Sequence, residues 1–380
     1  MKLLHLSDLH IGKRVNGFSL LEDQEFILRR IISIIDTELP DGIIIAGDVY
    51  DKPVPSAEAV ELLDSFIVRL AERHIQTFII SGNHDSPERL AFGNRLIDLS
   101  GIHISPVYDG SIRPFTLSDE YGDVNIYMLP FVKPANVRQY FPDKEILSYT
   151  DALAAAIEEL HIDTSKRNVL VTHQFVTGAM RSDSEELSVG GTDNVDAAVM
   201  EGFDYTALGH IHGPQNIGSN RIRYCGTPLK YSFSEANHQK SVTVVELGRK
   251  GELELRMIPL APLHDMKEIR GCFDELTAKE YYEGAGFVND YLHVTLTDEQ
   301  DVPQAAARLM LIYPNLMKLD YDNSRTRNRR ILSAENAQAD KRTPLELFAD
   351  FYEQQNGSTM TTEQTSLVSR LIEEIWEGEK

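Results

Sequence analysis

The chain has 380 residues, 42% hydrophobic and 25% charged. This is a globular balance that excludes a disordered, collagen-like or coiled-coil molecule and suggests one large domain with one or two smaller modules. Acidic residues outnumber basic ones 59 to 37, for a net charge of −22. That excess weighs against DNA binding by Lys and Arg alone, but leaves room for a polyanionic substrate held by cations, a local basic patch or a partner subunit.

Residues 1–255 read as alternating strands and helices, the signature of an α/β sheet protein. Apolar runs predict strands at Lys2–Ser7, Gly42–Ala46, Gln76–Ser81, Val124–Leu129, Asn168–Thr172 and Tyr205–Leu208. Between them, Ser19–Glu38 predicts a helix with Phe26, Ile27, Leu28, Ile31, Ile34 and Ile35 on a broad apolar face. A second helix starts at Ser56 with Val60, Leu63, Ile67 and Leu70 at three-to-four spacing. A third opens Ser86-Pro87-Glu88, a capping serine with proline at the first helical position, and stops near Gly101. Beyond Gly251 the pattern changes, and 262–322 predicts a small α/β module in which Tyr291–Thr297 alternates Leu292, Val294 and Leu296 against His293 and Thr295. Residues 323–342 read as a polar linker carrying Arg325, Arg327, Arg329 and Arg330. In 343–380, Thr343-Pro344-Leu345-Glu346 makes a capping box. Two short amphipathic helices follow, with Leu345, Phe348 and Phe351 on one and Leu367, Val368, Leu371, Ile372 and Ile375 on the other.

No apolar run approaches the ~18 residues of a membrane span, and the start turns polar at Ser7 and Asp8, too early for a signal-peptide core. Cys225 and Cys272 are too few for a disulfide framework. The expectation is a soluble cytoplasmic protein with no membrane role.

Five motifs each follow a predicted strand: Asp8-x-His10, Gly47-Asp48-x-x-Asp51, Gly82-Asn83-His84-Asp85, His173 and Gly209-His210-x-His212. Ligands of open α/β sheets collect at the carboxyl ends of strands, so the five can converge on one edge. Asp8, His10, Asp48, Asn83, His173, His210 and His212 form a mixed oxygen and nitrogen donor set without thiolate, which suits Mn²⁺, Fe²⁺ or Zn²⁺. Seven donors exceed one tetrahedral site and fit two ions sharing a carboxylate, the equipment of phosphate-ester hydrolysis.

These ordered motifs resemble the calcineurin-like metallophosphoesterase superfamily. The opening Leu6-Ser7-Asp8-Leu9-His10-Ile11-Gly12-Lys13 and the stretch Ser188-Val189-Gly190-Gly191-Thr192-Asp193 are similar to its DNA double-strand-break repair branch, the bacterial SbcD nuclease subunits. The resemblance implies a β-sandwich flanked by helices (1–255), a DNA-contacting capping domain (262–322) and a C-terminal helical segment that binds an SbcC-type coiled-coil ATPase. It implies two divalent ions, Mn²⁺ by preference. Asp8, His10 and His212 hold the first, Asp48 bridges, and Asn83, His173 and His210 complete the second. His84 contacts the scissile phosphate and helps the leaving oxygen depart. Asp51, where many relatives have histidine, is expected to support the ligands from behind, and Asp85 to orient His84. The implied activity is 3′→5′ exonuclease action on double-stranded DNA and endonuclease action on single strands and hairpins, in repair and recombination. A homodimer is implied as well, with Leu63, Ile67, Leu90 and Leu96 as candidate contacts.

Lys13 and Arg14, just after the first motif, are candidates for substrate phosphates, whereas the Arg325–Arg330 cluster either grips DNA backbone or, more simply, is a solvated linker. ATP is expected to act through the partner, since no Gly-x-x-x-x-Gly-Lys-Ser/Thr loop occurs. The alternatives are a small-molecule phosphoesterase with the same metal core and a non-catalytic DNA-end scaffold. The segment beyond Gly251 speaks against the first, and the intact donor set against the second.

Overall fold

The computed structural model describes residues 1–185, 193–326, 343–356 and 359–378. Strand β1 (Lys2–Leu6) is followed by α1 (Leu21–Glu38), β2 (Gly42–Ala46), α2 (Ala57–Glu72), β3 (Gln76–Ile80) and β4 (Ile102–Ile104). The four strands pair in parallel in that order. A parallel sheet covered on both faces needs near-continuous apolar strands rather than alternating ones, which is why Ile43-Ile44-Ile45 runs unbroken. Ile43 and Ile45 pack with Ile27, Ile31, Phe66 and Leu70 of α1 and α2. Ile44 turns the other way, toward Leu3, Phe78 and the second sheet.

That second sheet is built from β5 (Phe115–Asp119), β6 (Gly122–Leu129), β7 (Arg167–His173), β8 (Tyr205–Gly209), β9 (Gln215–Ile217) and β10 (Ser219–Tyr224), in the order β9-β10-β8-β7-β6-β5. Its inner face sets Val124, Ile126, Val169, Val171 and Ala207 against the first sheet. Helix α3 (Tyr149–Glu158) covers its outer face through Leu153 and Ala156 over Leu129 and Leu170. Strands β11 (Ser241–Leu247) and β12 (Leu253–Pro259) return to the first sheet, antiparallel beside β1. The helix-flanked sandwich expected from the sequence is thus present, and each predicted strand lies within two residues of its expected bounds.

Two helical expectations need correction. The predicted helix from Ser86 breaks into Pro87–Leu90, Asn94–Ile97 and a 3₁₀ turn at Asp98–Ser100. Gly93 between the first two pieces has φ 75°, a left-handed conformation that glycine adopts without strain and that interrupts the helix. In α2 the buried face is Ala59, Leu63, Phe66 and Leu70, while Val60 is exposed; the small Ala59 seats the helix, not the larger valine.

The small module is a parallel sheet of β13 (Met266–Gly271), β14 (Tyr291–Leu296) and β15 (Leu316–Tyr321). Leu292, Val294 and Leu296 face its core with Leu309 and Tyr313, as the alternation predicts. Its edge meets the sandwich where Asp23 of α1 accepts from the Tyr291 hydroxyl and from His264, and where Lys230 pairs with Asp265 at 2.8 Å.

Of the expected linker, 327–342 lies outside the described residues; Arg325 pairs with Asp301 at 2.7 Å. The Thr343 capping box forms, with Thr343 N–H donating to Glu346 and Glu346 N–H to the Thr343 hydroxyl. It opens α4 (Pro344–Asn356), and α5 (Thr362–Gly378) packs beside it, Gln364 donating to the Tyr352 hydroxyl. Leu347, Phe348, Phe351, Leu367 and Leu371 on the pair remain exposed. Among the described residues no helix is long and apolar enough to cross a membrane.

Candidate metal centre

Every one of the seven candidate donors sits at the carboxyl end of a strand: Asp8 and His10 after β1, Asp48 after β2, Asn83 after β3, His173 closing β7, and His210 and His212 after β8. The loops are laced to one another. Asp8 N–H donates to the Gly47 carbonyl at 3.0 Å, and His10 N–H to that of Asp48 at 2.9 Å. His210 N–H crosses from the second sheet to the Asp8 carboxylate at 3.0 Å. Asp8, His10, Asp48 and His210 all have positive φ, between 43° and 101°. Non-glycine residues adopt this uncommonly, and such strain gathers at functional sites. At Gly209 a Cβ would stand 1.9 Å from the Ala46 carbonyl oxygen, so only glycine lets the two sheets approach here.

Among the described residues, Asp8, His10 and His212 bring one ligand atom each within 4.8 Å of one another, as do Asp8, Asp48 and His173. Asn83 Oδ1 lies 3.0 Å from His173 Nε2 and 2.9 Å from His210 Nδ1, and Nε2 of His10 lies 3.2 Å from Nε2 of His212. The ring of His173 is oriented by Nδ1–H donating to the Ala46 carbonyl at 2.8 Å. Its Nε2 therefore faces oxygens of Asp48, 3.3 Å away, and Asn83, and only a proton or a cation makes that approach favourable.

The charge balance leads to the same conclusion. Burial pulls His173 down, yet Asp48 outweighs it and lifts the imidazole to about 9. Burial pushes Asp48 up, but the His173 ring, with His84 and His10, holds its carboxyl well below the usual range. Burial, above all, keeps His10 and His210 far below ordinary imidazoles, and His10 Nδ1 and His210 Nε2 are buried without a hydrogen-bond partner. This set of oxygen and nitrogen donors, short of positive charge, fits divalent cations.

His84 is half-buried at the mouth, its Nε2 4.0 Å from Asp48. The expectation that Asp85 orients it is corrected. The Asp85 carboxylate accepts the backbone N–H groups of Val49, Tyr50 and Gly82, so it ties the Asp48 loop to the Asn83 loop, while His84 Nδ1 donates to the Asp51 carbonyl at 3.1 Å. The Asp51 carboxylate pairs with Lys13 at 2.8 Å and stands 3.7 Å behind His10. Arg14 reaches the Gly17 carbonyl.

The dimer candidates divide: Leu63 and Leu90 belong to the chain's own core and Ile67 packs against it, whereas Leu96 is exposed, as are Phe92 and Leu99. Residues 188–192 of the second diagnostic stretch lie outside the described residues, and Asp193 faces Arg181 at 3.3 Å.

Sequence reasoning missed the supports. Gln24 of α1 donates to the His10 carbonyl at 2.7 Å, and its polar side chain within an apolar helix face was a usable signal. Ser184, Glu185, Glu235 and Lys240 surround His212, with no spacing that announces them.

Residues 1–214 match the family model of the calcineurin-like phosphoesterases. Residues 262–356 match a C-terminal family model, SbcD_C, described as the type 5 capsule protein repressor C-terminal domain. The D subunit of the SbcCD nuclease of Staphylococcus epidermidis is 34% identical over 386 residues, covering 100% of both chains. Its namesake from Staphylococcus saprophyticus is also 34% identical, covering 99% of each. The chain belongs to the calcineurin-like phosphoesterases and, among them, to the family of SbcCD nuclease D subunits.

Proposed function

We propose that the chain is a metal-dependent DNA nuclease subunit that hydrolyses phosphodiester bonds, with Asp8, His10 and His212 holding one divalent ion, Asn83, His173 and His210 a second, and Asp48 shared. The observation that carries this reading is the meeting of seven donors from five strand ends in a chain aligned end to end with subunits named as nucleases. The donor set suits Mn²⁺, Fe²⁺ or Zn²⁺, and the family resemblance selects Mn²⁺ among them. Such a pair of cations, when bound, lowers the pKa of water and neutralises charge on a phosphodiester.

The protein's own residues supply the rest. His84 donates Nδ1–H to the Asp51 carbonyl and leaves Nε2 on the Asp48 side, from which its imidazolium form hands the Nε2 proton to a departing oxygen and becomes the neutral ring. Lys13, whose ammonium is held by Asp51 beside His10, and Arg14 next to it in sequence are the residues assigned to attract backbone phosphates. The net charge of −22 opposes DNA, so cations at the site and a partner carry the attraction.

By family, the activity is 3′→5′ exonuclease on duplex ends and endonuclease on single strands and hairpins. The exposed apolar residues of α4 and α5 are the docking face for an SbcC-type ATPase, which supplies ATP coupling in DNA repair and recombination in the cytoplasm. The capping role of 262–322 and a homodimer with the exposed Leu96 as a contact belong to the same reading.

The test is turnover of end-labelled duplex DNA and of an aryl phosphodiester with Mn²⁺, in wild type and His84→Gln. Cleavage of DNA that falls about 10²–10⁴-fold in the variant, with Mn²⁺ binding retained, supports the reading. Turnover of the small diester alone would make the protein a small-molecule phosphoesterase. No hydrolysis with any divalent ion would leave a scaffold.

A further inference from the structure

We propose that Ser184, backed by the buried Glu235–Lys240 pair, is a positioning residue that sets the tautomer of His212, so that Nε2 presents a bare lone pair to the metal pocket. The metal half of this statement rests on the proposed function; the tautomer half does not.

His212 is fastened at each polar atom but one. Its N–H donates to Glu185 at 2.7 Å. Its carbonyl accepts from Lys240 Nζ at 2.9 Å and from Thr227 N–H at 3.2 Å. Its Nδ1 meets the Ser184 hydroxyl at 2.7 Å. Among the described residues, Nε2 comes within hydrogen-bonding distance only of His10 Nε2, at 3.2 Å.

The protons follow from the partners. Lys240 Nζ has three acceptors, the His212 carbonyl, the Thr227 hydroxyl and Glu235 Oε2, which match the three hydrogens of an ammonium. Glu235 opposite is a carboxylate and only accepts, and its Oε1 receives Tyr231 N–H and the Ser184 hydroxyl. Ser184 has one hydrogen. Ser182, 3.0 Å away, gives its own to Glu185, and the charged Glu235 oxygen outcompetes both the neutral Ser182 hydroxyl and a neutral imidazole nitrogen for the Ser184 hydrogen. With that proton on Glu235, Ser184 Oγ accepts from His212, and Nδ1 must carry the hydrogen.

Glu235 and Lys240 are 0% and 4% exposed. A buried pair is weak evidence for stability because desolvation offsets the attraction. Its position behind a ligand gives it a different use, since ligand histidines are oriented by what their other nitrogen donates to. Ser182–Glu185 thereby becomes part of the site, supplying two of the fastenings of His212.

The experiment uses the full chain with ¹⁵N-labelled imidazoles. In metal-free wild type at pH 8, long-range ¹⁵N–¹H spectra, with His212→Gln to assign the signal, are expected to show His212 protonated on Nδ1. Ser184→Ala is expected to mix in the other tautomer and weaken one of the two Mn²⁺ affinities about 10–100-fold, while Ser184→Thr restores both. Protonation on Nε2 in wild type overturns the inference, as does a Ser184→Ala protein with unchanged tautomer and unchanged Mn²⁺ binding. A wild type that shows Nδ1–H yet binds no Mn²⁺ sinks the metal reading and leaves the tautomer assignment standing. The wild-type spectrum decides without any variant having to fold.

Discussion

The hydroxyl of Tyr291 donates to the buried carboxylate of Asp23 at 2.6 Å, across 268 residues of chain. Asp23 lies in the first turn of α1, where the helix dipole favours a negative charge, and it also takes the N–H and Nδ1 of His264. One carboxylate therefore joins the sandwich to the small module.

Removing that hydroxyl tests the joint. Tyr291→Phe leaves the ring in place and takes away a hydrogen bond to a charged group, worth about 1.5–3 kcal/mol. Hydrogen exchange is expected to quicken across Met266–Tyr321 while the strands flanking the metal centre keep their protection.

Gly209→Ala tests the approach of the two sheets. The added methyl meets a backbone carbonyl, which cannot swing aside as a side chain does, so the strand end must shift. The expected cost is about 3 kcal/mol, read as a lowered urea midpoint, together with loss of Mn²⁺ binding because His210 moves with it.

Acid sensitivity has a local source at Asp119, whose two oxygens are gripped by the Arg167 guanidinium. That contact holds the folded carboxyl well below its usual range, against about 3.9 in an unfolded chain. A depressed folded pKa adds stability that is present above the unfolded value and is lost as pH falls below it toward the folded one. Urea melts from pH 7 to 2.5 are expected to show a shallower acid decline in Asp119→Asn than in wild type.

Removing metal should be visible without any substrate. Mn²⁺ at a hundred times its dissociation constant adds about 2.7 kcal/mol to the unfolding free energy, and EDTA should abolish the gain. In Asp48→Asn, which neutralises the carboxylate common to both proposed ions, the gain is expected to shrink.

How much was legible depended on distance along the chain. Each donor follows an apolar run, and the run and its polar terminus are both local, so Asp8 through His212 were readable as one edge. Val60 was misread because periodicity finds an apolar stripe but not its phase, and a buried alanine carries little signal. Leu63 and Leu90 were offered to a partner when their own core claims them, a choice that spacing cannot make. Asp85 misled by adjacency: it stands next to His84, yet its carboxylate serves backbone amides thirty-five residues away. Glu235 and Lys240 lay beyond reach, since nothing local joins a turn after β10 to a histidine after β8.

The donors are divided between the two halves of the sandwich, with Asp8, His10, Asp48 and Asn83 on one sheet and His173, His210 and His212 on the other. Cations seated between them would rivet the layers together at a rim where both backbones carry positive-φ residues. Neither half, expressed as a separate fragment, carries a whole socket. Capacity for metal should therefore arise late in folding, when the layers close, and vanish first when they begin to part.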